Sequence, residues 1–365
     1  MKFSLSREAL LSPLQLVVGV VERRQTLPIL SNVLLTLDGT RLSLTGTDLE
    51  VEIIGSTEVS VAAEAGEVTV SARKFLDICR SLPEGAQVDF SSGDGKAMLK
   101  SGRSKFTLAT LPANEFPSVD EGDRSVAFAV QGSLLKGLIE ATSFAMAQQD
   151  VRYYLNGMLW ELTTNKLRAV ATDGHRMALC DCICEVEVAD TISAILPRKG
   201  IMELARLLGE GEVQVAMGSN HIRITGPDYC FTSKLVDGAY PDYDRVLPKG
   251  GDKLVVGDRA SLKQAFGRTA ILSNEKYRGV RILLSNSAIK MVANNPEQEE
   301  AEEEVTVDYL GDDLEIGFNV SYLLDVLNVI KGADIRFTLS DSNSSALVED
   351  AGDGKAVYVV MPMRL

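Results

Sequence analysis

The chain has 365 residues, is 45% hydrophobic and carries a formal net charge of -14. A chain of this length exceeds one ordinary domain and predicts two or three, each with its own core. No apolar run approaches the ~18 residues that span a bilayer, the first residues lack a signal-peptide pattern, and five cysteines do not make a disulfide scaffold, so we expect a cytoplasmic protein.

The first predicted elements are a helix over residues 6–24 and two strands around residues 33–35 and 42–48. A second helix follows over residues 73–82, because apolar residues recur there at helical spacing. Gly85 ends this helix, as glycine does at many helix C-termini. Glycine-rich turns beyond it predict hairpins. This stretch therefore contains two units, each a helix followed by strands.

The same order of elements returns at a long period. The strand at 42–48 has a counterpart at 167–173 and a weaker one at 289–295, which are offsets of 125 and 122 residues. The second helix recurs at 201–208 and again at 323–330. Fixed offsets of this kind are the sequence signature of a repeated structural unit.

We therefore predict an α+β fold of three similar domains, each built from two helix-plus-strands units. The domains span residues 1–122, 123–248 and 249–365, because proline, glycine and charged residues cluster at the boundaries. Six similar units favour a curved or closed ring over three tandem domains without closure. That preference rests on the repetition and not on any particular residue.

Positive charge concentrates on the predicted helices, although the chain as a whole is acidic. The helices at 73–82 and 198–208 each carry three basic residues against one acidic residue, and a further predicted helix at 258–278 carries five basic residues against two acidic ones. On the second helix, Lys199, Glu203 and Arg206 share a face away from the apolar stripe, and the first helix repeats this arrangement. A charged outer face is common on soluble helices. Its repetition in so acidic a chain favours a basic surface that faces phosphate groups.

The sequence gives no positive support for catalysis or for a metal site. Cys180, Cys182 and Cys184 alternate along a predicted strand and could share a face, but structural zinc sites use Cys-x2-4-Cys pairs. We interpret them as small residues of a half-buried strand. Asp173 beside His175 is more typical of a structural hydrogen bond. P-loop, nucleophile-elbow and dinucleotide motifs are absent from the sequence, so we expect no enzyme and no cofactor.

Two further features lie near the end of the chain. Residues 297–304 contain six glutamates, which predict either a solvated loop or a docking surface for a basic patch such as Lys74, Arg103 and Lys105. Residues 358–360 predict a final strand, but the apolar tail continues past it. Because Pro362 cannot donate to a central ladder, this tail predicts the wall of a groove.

Six runs of sequence resemble those of the bacterial DNA polymerase III beta-subunit family, the beta sliding clamps. They are TDLE at 47–50, QDVRYYLNG at 149–157, ATDGHR at 171–176, FTSKLVD at 231–237, ANNPEQEE at 293–300 and YVVMPMRL at 358–365. The resemblance covers essentially the whole chain. It implies a non-enzymatic processivity factor that encircles duplex DNA as a head-to-tail homodimer, a ring of six domains lined by helices. An ATP-driven loader and the replicative polymerase would be partners, together with other polymerases and repair proteins that bind through short hydrophobic peptides.

The resemblance also implies three sets of site residues. The partner-peptide pocket comprises Leu155, Thr172, Gly174, His175, Arg176, Met177, Pro241, Arg245, Val246, Asn319, Tyr322, Ser345, Val359, Val360, Met361, Pro362, Met363, Arg364 and Leu365. The DNA-facing residues are Arg24, Arg73, Arg80, Gln149, Tyr153, Tyr154, Arg198, Lys199 and Arg206. The dimer contacts are Phe106, Ile271 and Leu272, with Lys74, Arg103 and Lys105 facing Glu297, Glu299, Glu300, Glu302 and Glu303.

Two other classes of protein remain as alternatives. An acidic repeat scaffold that binds proteins but never DNA would share the fold and the peptide groove. The basic helix faces separate the two hypotheses, because a pure scaffold does not need them. An enzyme would need a cluster of perturbed acidic or basic residues, which the sequence does not reveal.

Overall fold

The structure, a computed structural model, describes residues 1–22, 27–59, 64–119 and 125–364. Its α-helices are α1 (Arg7–Val18), α2 (Ala72–Ser81), α3 (Gly132–Thr142), α4 (Arg198–Leu207), α5 (Arg259–Thr269) and α6 (Val320–Val329). Among these described helices, none combines the length and the apolar character that crossing a membrane requires.

Short β-strands account for much of the rest of the chain. In the first half they are β1 (Lys2–Ser6), β2 (Asn32–Asp38), β3 (Arg41–Thr47), β4 (Val51–Glu58), β5 (Gly66–Ser71), β6 (Gln87–Gly93), β7 (Lys96–Ser101), β8 (Ser104–Leu111), β9 (Val126–Gln131), β10 (Gly157–Thr163), β11 (Lys166–Thr172) and β12 (Arg176–Ile183). In the second half they are β13 (Ile192–Pro197), β14 (Glu212–Met217), β15 (His221–Thr225), β16 (Tyr229–Lys234), β17 (Lys253–Asp258), β18 (Gly279–Ser285), β19 (Ala288–Asn294), β20 (Glu300–Thr306), β21 (Leu314–Asn319), β22 (Asp334–Leu339), β23 (Ala346–Asp350) and β24 (Ala356–Val360).

These elements form two compact units. The first contains Met1–Ser133 and Lys199–Leu235, and the second contains Leu134–Arg198 and Val236–Leu365. This division cuts through the predicted middle domain at 123–248, so the three domain boundaries stay a prediction. The predicted boundary near residue 122 lies outside the described residues.

The first unit is built on one twelve-stranded sheet in the order β1-β6-β7-β8-β5-β2-β3-β4-β16-β15-β14-β9. Neighbouring strands are antiparallel, and buried residues alternate with more exposed ones along strands such as β3. This alternation is expected when one face of a sheet carries the core. Helix α1 packs against β3, β4 and α2, so the helices cover the apolar face.

The second unit contains two antiparallel sheets. The larger has eight strands in the order β13-β10-β11-β12-β24-β23-β22-β17, and the smaller has four in the order β20-β19-β18-β21. In the larger sheet, β24 from the end of the chain pairs with β12, so that Met177 lies opposite Val359. Helix α5 packs against α6 and β20.

The predicted repeat is confirmed. Strands β2, β10 and β18 begin at Asn32, Gly157 and Gly279, which reproduces the offsets of 125 and 122 residues. Helices α2, α4 and α6 begin at Ala72, Arg198 and Val320, which are offsets of 126 and 122 residues. The mixture of helices and strands in this order agrees with the predicted α+β class.

Two predicted helices are shorter in the structure than in the sequence analysis. Helix α1 ends at Val18 instead of continuing to residue 24, and residues 23–26 lie outside the described part. Helix α5 ends at Thr269, well before residue 278. Beyond it, the Asn274 side chain accepts the backbone N–H groups of Lys276 and Tyr277. Such local side-chain bonds compete with helix formation.

Candidate functional site

The C-terminal tail continues from β24 in an ordered path. After the strand ends at Val360, the N–H of Met361 donates to the carbonyl of His175 at 3.0 Å, and the N–H of Met363 donates to the carbonyl of Gly317 at 2.9 Å. Pro362, between them, has no N–H to donate. The described tail is therefore fixed at two points, and its side chains remain half-buried as far as Met363.

Several residues of the predicted peptide pocket belong to a buried apolar cluster or pack against it. A buried cluster contains Met177 and Val359 from the pocket set, together with Leu159, Val170, Leu179, Ile195 and Tyr243. Val246 and Tyr240 pack against this cluster and are partly buried. Leu155 and Val360 are buried as well. The structure thus brings Met177, Val359 and Val246 of the predicted set together at one apolar cluster.

Arg176 makes several polar contacts beside this cluster. Its guanidinium donates to Asp173 at 3.1 Å and to the carbonyl of Phe144 at 2.9 Å, and it also forms a short ion pair with Asp325. The group lies 4.5 Å from the centre of the Tyr322 ring. A planar guanidinium can make these contacts at the same time, whereas an ammonium group cannot. Arg176 therefore joins β12 to helix α6.

The turn before Arg176 is a compact hydrogen-bonded loop. Thr172 Oγ1 donates to the carbonyl of Arg176 and accepts from the N–H of Gly174, while Asp173 Oδ1 accepts the N–H groups of His175 and Arg176. Gly174 has a φ of +88°, a backbone conformation that favours glycine. Asp173 thus has a structural role in this turn.

The same loop occurs in the first unit. Thr47 Oγ1 donates to the carbonyl of Val51 and accepts from the N–H of Leu49, and Asp48 Oδ1 accepts the N–H groups of Glu50 and Val51. Leu49 occupies the positive-φ position that Gly174 fills in the other copy. The repeated Thr-Asp pair seen in the sequence is therefore a turn motif, which accounts for its recurrence without any catalytic role.

The remaining pocket residues come from three other segments. Pro241, Arg245 and Val246 follow β16, and the backbone N–H of Val246 donates to the carbonyl of Tyr243 at 2.9 Å. Asn319 caps helix α6 by accepting the N–H of Ser321, and Ser345 lies just before β23. His175 stacks against Tyr322 at 6.4 Å between ring centres. Arg364 is exposed, and Leu365 lies outside the described residues.

The predicted DNA-facing residues of helix α2 differ from those of α4 in their surroundings. Arg73 and Arg80 are exposed on α2. Lys199 instead forms ion pairs with Glu22 and Asp48. Burial lowers the pKa of Lys199, but the hydrogen bonds to these two carboxylates outweigh burial and raise it. Lys199 is therefore held by carboxylates of its own unit.

Arg206 is also anchored within the first unit. Its guanidinium donates to the carbonyls of Gln15 and Leu16 at the end of α1 and to the carboxylate of Glu203. A β-carbon at Gly19 would lie 2.3 Å from the Glu203 carboxylate, so a larger residue there would displace the Glu203 and Arg206 side chains. The Glu203–Arg206 spacing of three residues is a recognised helical ion-pair signal. It could have revealed this anchor in the sequence.

The other predicted DNA-facing residues lie around the loop before β10. Gln149 is exposed with a φ of +58°, and the rings of Tyr153 and Tyr154 meet edge to face at 5.9 Å. Arg198 donates to the carbonyl of Met146 at 3.4 Å. Arg24 lies outside the described residues.

Two strands have exposed edges that carry opposite charge. Strand β20 is the terminal strand of its sheet, and Glu300 and Glu302 are exposed on it. Strand β8 is paired with β5 only through Thr110 and Leu111, which leaves Lys105 on the free part of its edge. The unpaired groups of such an edge are a template for pairing with another chain.

The predicted dimer residues differ in how much of each side chain is exposed to solvent. Ile271 is 75% exposed, whereas Leu272 is half-buried. Lys74 and Arg103 are exposed, as are Glu297 and Glu299, and Phe106 is half-buried. Glu303 faces the opposite side of β20 from Glu302 and pairs with Arg268 at 2.6 Å. The alternation of side chains along a strand explains why one member of the acidic run turns inward.

The cysteine run occupies β12 and the residue just beyond it. Cys180, Cys182 and Cys184 are buried. Burial raises the pKa of the Cys180 thiol to about 11 and that of Cys182 to about 12. A protonated thiol is a poor nucleophile and a poor metal ligand. These residues therefore serve as small apolar side chains of the sheet.

Comparisons with known proteins agree with this arrangement over the whole chain. Three family models match in succession: the N-terminal domain of the DNA polymerase III beta subunit at residues 1–120, the central domain at 129–242 and the C-terminal domain at 244–364. A beta sliding clamp from Pseudomonas putida is 63% identical, with 100% of each chain covered.

Solved structures are similar over the same length. A sliding clamp from Pseudomonas aeruginosa, determined with bound griselimycin, is 63% identical, with a TM-score of 0.98 and 100% of each chain covered. The Caulobacter crescentus pol III beta structure is 41% identical, with a TM-score of 0.94 and the same coverage.

Proposed function

The chain belongs to the DNA polymerase III beta-subunit family, the beta sliding clamps, and we propose that it encircles duplex DNA and tethers the replicative polymerase to it. The observation that carries this proposal is the succession of three family models along the repeated element order. The protein is a non-catalytic processivity factor. It acts by topological linkage, so it needs no tight contact with any DNA sequence.

Two copies would form the ring. The basic free edge of β8 on one copy would pair with the acidic edge of β20 on the other, which would extend both sheets across the interface. Exposed Ile271, with Leu272 beside it, would supply an apolar patch near the same edge. Lys74, Arg103 and Lys105 would face Glu297, Glu299, Glu300 and Glu302. Glu303 would contribute indirectly, because Arg268 holds it.

The three predicted domains, 1–122, 123–248 and 249–365, would each supply two helices to the lining of the hole. Exposed Arg73 and Arg80, together with Gln149, Tyr153, Tyr154 and Arg198, would contact the phosphate backbone. Such contacts are sequence-independent and exchange readily, which permits sliding. Lys199 and Arg206 would add positive potential from their anchored positions, and we keep Arg24 in the set because the resemblance implies it.

The groove beside the C-terminal tail would bind short hydrophobic peptides of the polymerase, the loader and repair proteins. The Met177 and Met361 side chains support this role, because unbranched thioethers adapt to different apolar partners. The relative from Pseudomonas aeruginosa binds griselimycin, and we propose that this chain binds the same compound. We also propose a cytoplasmic location, where a bacterial chromosome is replicated.

A primer-extension assay tests the function. Adding the protein with a clamp loader and ATP to the cognate polymerase should lengthen the product made in each binding event. The increase should require the loader, because a closed ring cannot thread onto a circular template. Product lengths that do not change when the protein is added would contradict the proposal.

A further inference from the structure

One wall of the peptide groove is an irregular segment. After β16 ends at Lys234, the chain runs through residues 236–249 with a single 3-10 turn at Tyr243–Arg245. This segment carries Pro241, Arg245 and Val246 of the predicted pocket. The backbone N–H of Val236 ties the start of the segment to the sheet by donating to the carbonyl of Ile195 at 2.8 Å. Farther along the segment, side chains make the attachment.

Two tyrosines flank Pro241 and attach the segment to the sheet below. The hydroxyl of Tyr240 accepts the backbone N–H of Thr172 at 3.1 Å. The ring of Tyr243 lies in the buried cluster with Met177 and Val359. Tyr243 therefore joins the irregular segment to the buried cluster of the sheet.

The Tyr243 hydroxyl ends in a network of charged side chains on strands β10, β11 and β12. It donates to the carboxylate of Glu161 and accepts from Arg168 Nη1 at 3.5 Å. Arg168 in turn makes two hydrogen bonds with Asp181, at 2.7 and 2.8 Å. Because two parallel bonds fix a guanidinium in direction as well as distance, the Arg168 group that donates to the hydroxyl is held in place.

We propose that Glu161, Arg168 and Asp181 are positioning residues for partner recognition, which hold Tyr243 and thereby set the width of the peptide groove. This inference rests on the proposed function of the groove. The ion pair is partly exposed, with 24% of the Arg168 and 30% of the Asp181 side chain accessible. Its effect is to order the wall before a peptide arrives, which lowers the entropy that binding must overcome.

The first test replaces the carboxylate that orients the hydroxyl. Glu161→Leu removes the acceptor, whereas Glu161→Gln retains one. Binding is measured by fluorescence anisotropy with a labelled short hydrophobic peptide from the replicative polymerase. The Leu variant should bind roughly tenfold more weakly, and the Gln variant should bind close to wild type. Equal affinity of wild type and Glu161→Leu would overturn the proposal, as would an equal loss in both variants.

A second variant and a matched control complete the experiment. Tyr243→Phe keeps the buried ring and removes only the hydroxyl, so it should weaken the peptide as Glu161→Leu does and speed amide exchange at Val246. Arg336→Gln breaks the Arg336–Glu349 pair, 3.0 Å long, on β22 and β23 of the same sheet. That control should bind the peptide normally, and an equal loss there would overturn the positioning role. Failure of the wild-type protein to bind the peptide would count instead against the proposed function.

Discussion

At the scale of single residues, Arg176 fixes two segments of the proposed groove through its hydrogen bonds and ion pairs. Only 12% of its side chain is exposed, and it bonds to Asp173, Asp325 and the carbonyl of Phe144. A partly buried cation with these partners is costly to disrupt, because any partner left behind is desolvated and unpaired. Arg176 therefore supports the turn that presents His175 and the strand that presents Met177.

Replacing Arg176 with lysine should destabilise the protein. Lysine keeps the charge but cannot reach the carboxylate of Asp325 and the Phe144 carbonyl together. We expect the free energy of unfolding to fall by about 3 kcal/mol, measured by denaturant titration. The control is Arg245→Lys, because the Arg245–Asp242 pair is exposed and should contribute less than about 1 kcal/mol. Equal effects of the two substitutions would contradict this account of Arg176.

Some residue-level features could be predicted from the sequence, and others could not. The Thr-Asp repeat identified equivalent positions, but only the hydrogen bonds revealed it as a turn motif. The sequence analysis predicted that Lys199 faces DNA. In the structure, Lys199 forms an ion pair with Asp48, which lies about 150 positions earlier in the chain. Tyr243 and Arg168 are separated by 75 residues. Sequence spacing alone does not indicate such contacts.

At the scale of elements, the C-terminal tail and the basic helices carry the proposed contacts. Deleting residues 361–365 should abolish binding of the polymerase peptide, because the tail would form one side of the proposed groove. It should leave dimerisation unchanged and lower the thermal midpoint only slightly, since the deletion removes two described backbone hydrogen bonds of modest net strength. Normal peptide binding by the truncated protein, measured by calorimetry, would refute the tail's role, and unfolding would show that the tail is structural.

The exposed arginines of α2 should determine much of the salt dependence of DNA binding. Each phosphate contact contributes about 0.9 to the slope of log affinity against log salt concentration. Arg73→Gln combined with Arg80→Gln should therefore reduce the slope by about 2, in an equilibrium titration with short linear duplex DNA and no loader. The control, Arg41→Gln with Lys100→Gln, removes the same charge from strands β3 and β7. An equal change of slope in both double variants would contradict a direct contact between α2 and the DNA phosphates.

The element order was predictable because residues 42–48, 167–173 and 289–295 share a sequence pattern. Strand and helix positions followed from apolar spacing at those offsets. The end of α5 was not predictable from spacing, because the Asn274 turn competes locally with the helix. The end of α1 was missed for a related reason: Val20 and Val21 are buried outside the helix, and apolar residues alone do not distinguish the two conformations.

At the scale of the whole molecule, the proposal depends on two copies meeting through unlike edges. An acidic edge at β20 and a basic edge at β8 are complementary, so two copies would pair head to tail and would close the proposed ring, whereas pairing like edges would be repulsive. The net charge of -14 would disfavour DNA binding to the outside of such a ring. The remaining attraction would act inside the ring, on the basic helix faces.

Alanine substitution of both Ile271 and Leu272 should yield monomers. Each of the two interfaces would lose roughly 2–4 kcal/mol of apolar burial. The dimer would therefore lose about 4–8 kcal/mol, which weakens association by about a thousandfold to a millionfold. Sedimentation velocity at micromolar concentration measures the species directly. The control is Leu254→Ala, which truncates another exposed apolar side chain away from the proposed edge and should leave a dimer. A dimer in both variants would place the interface elsewhere.

The most direct test of the central claim compares circular and linear DNA. The protein is loaded onto a nicked circular plasmid with a clamp loader and ATP, and the loader is then removed. Protein that encircles DNA should remain bound through gel filtration and should dissociate within minutes once a restriction enzyme cuts the circle. Retention on the linearised plasmid, or loss from the intact circle at the same rate, would contradict topological linkage.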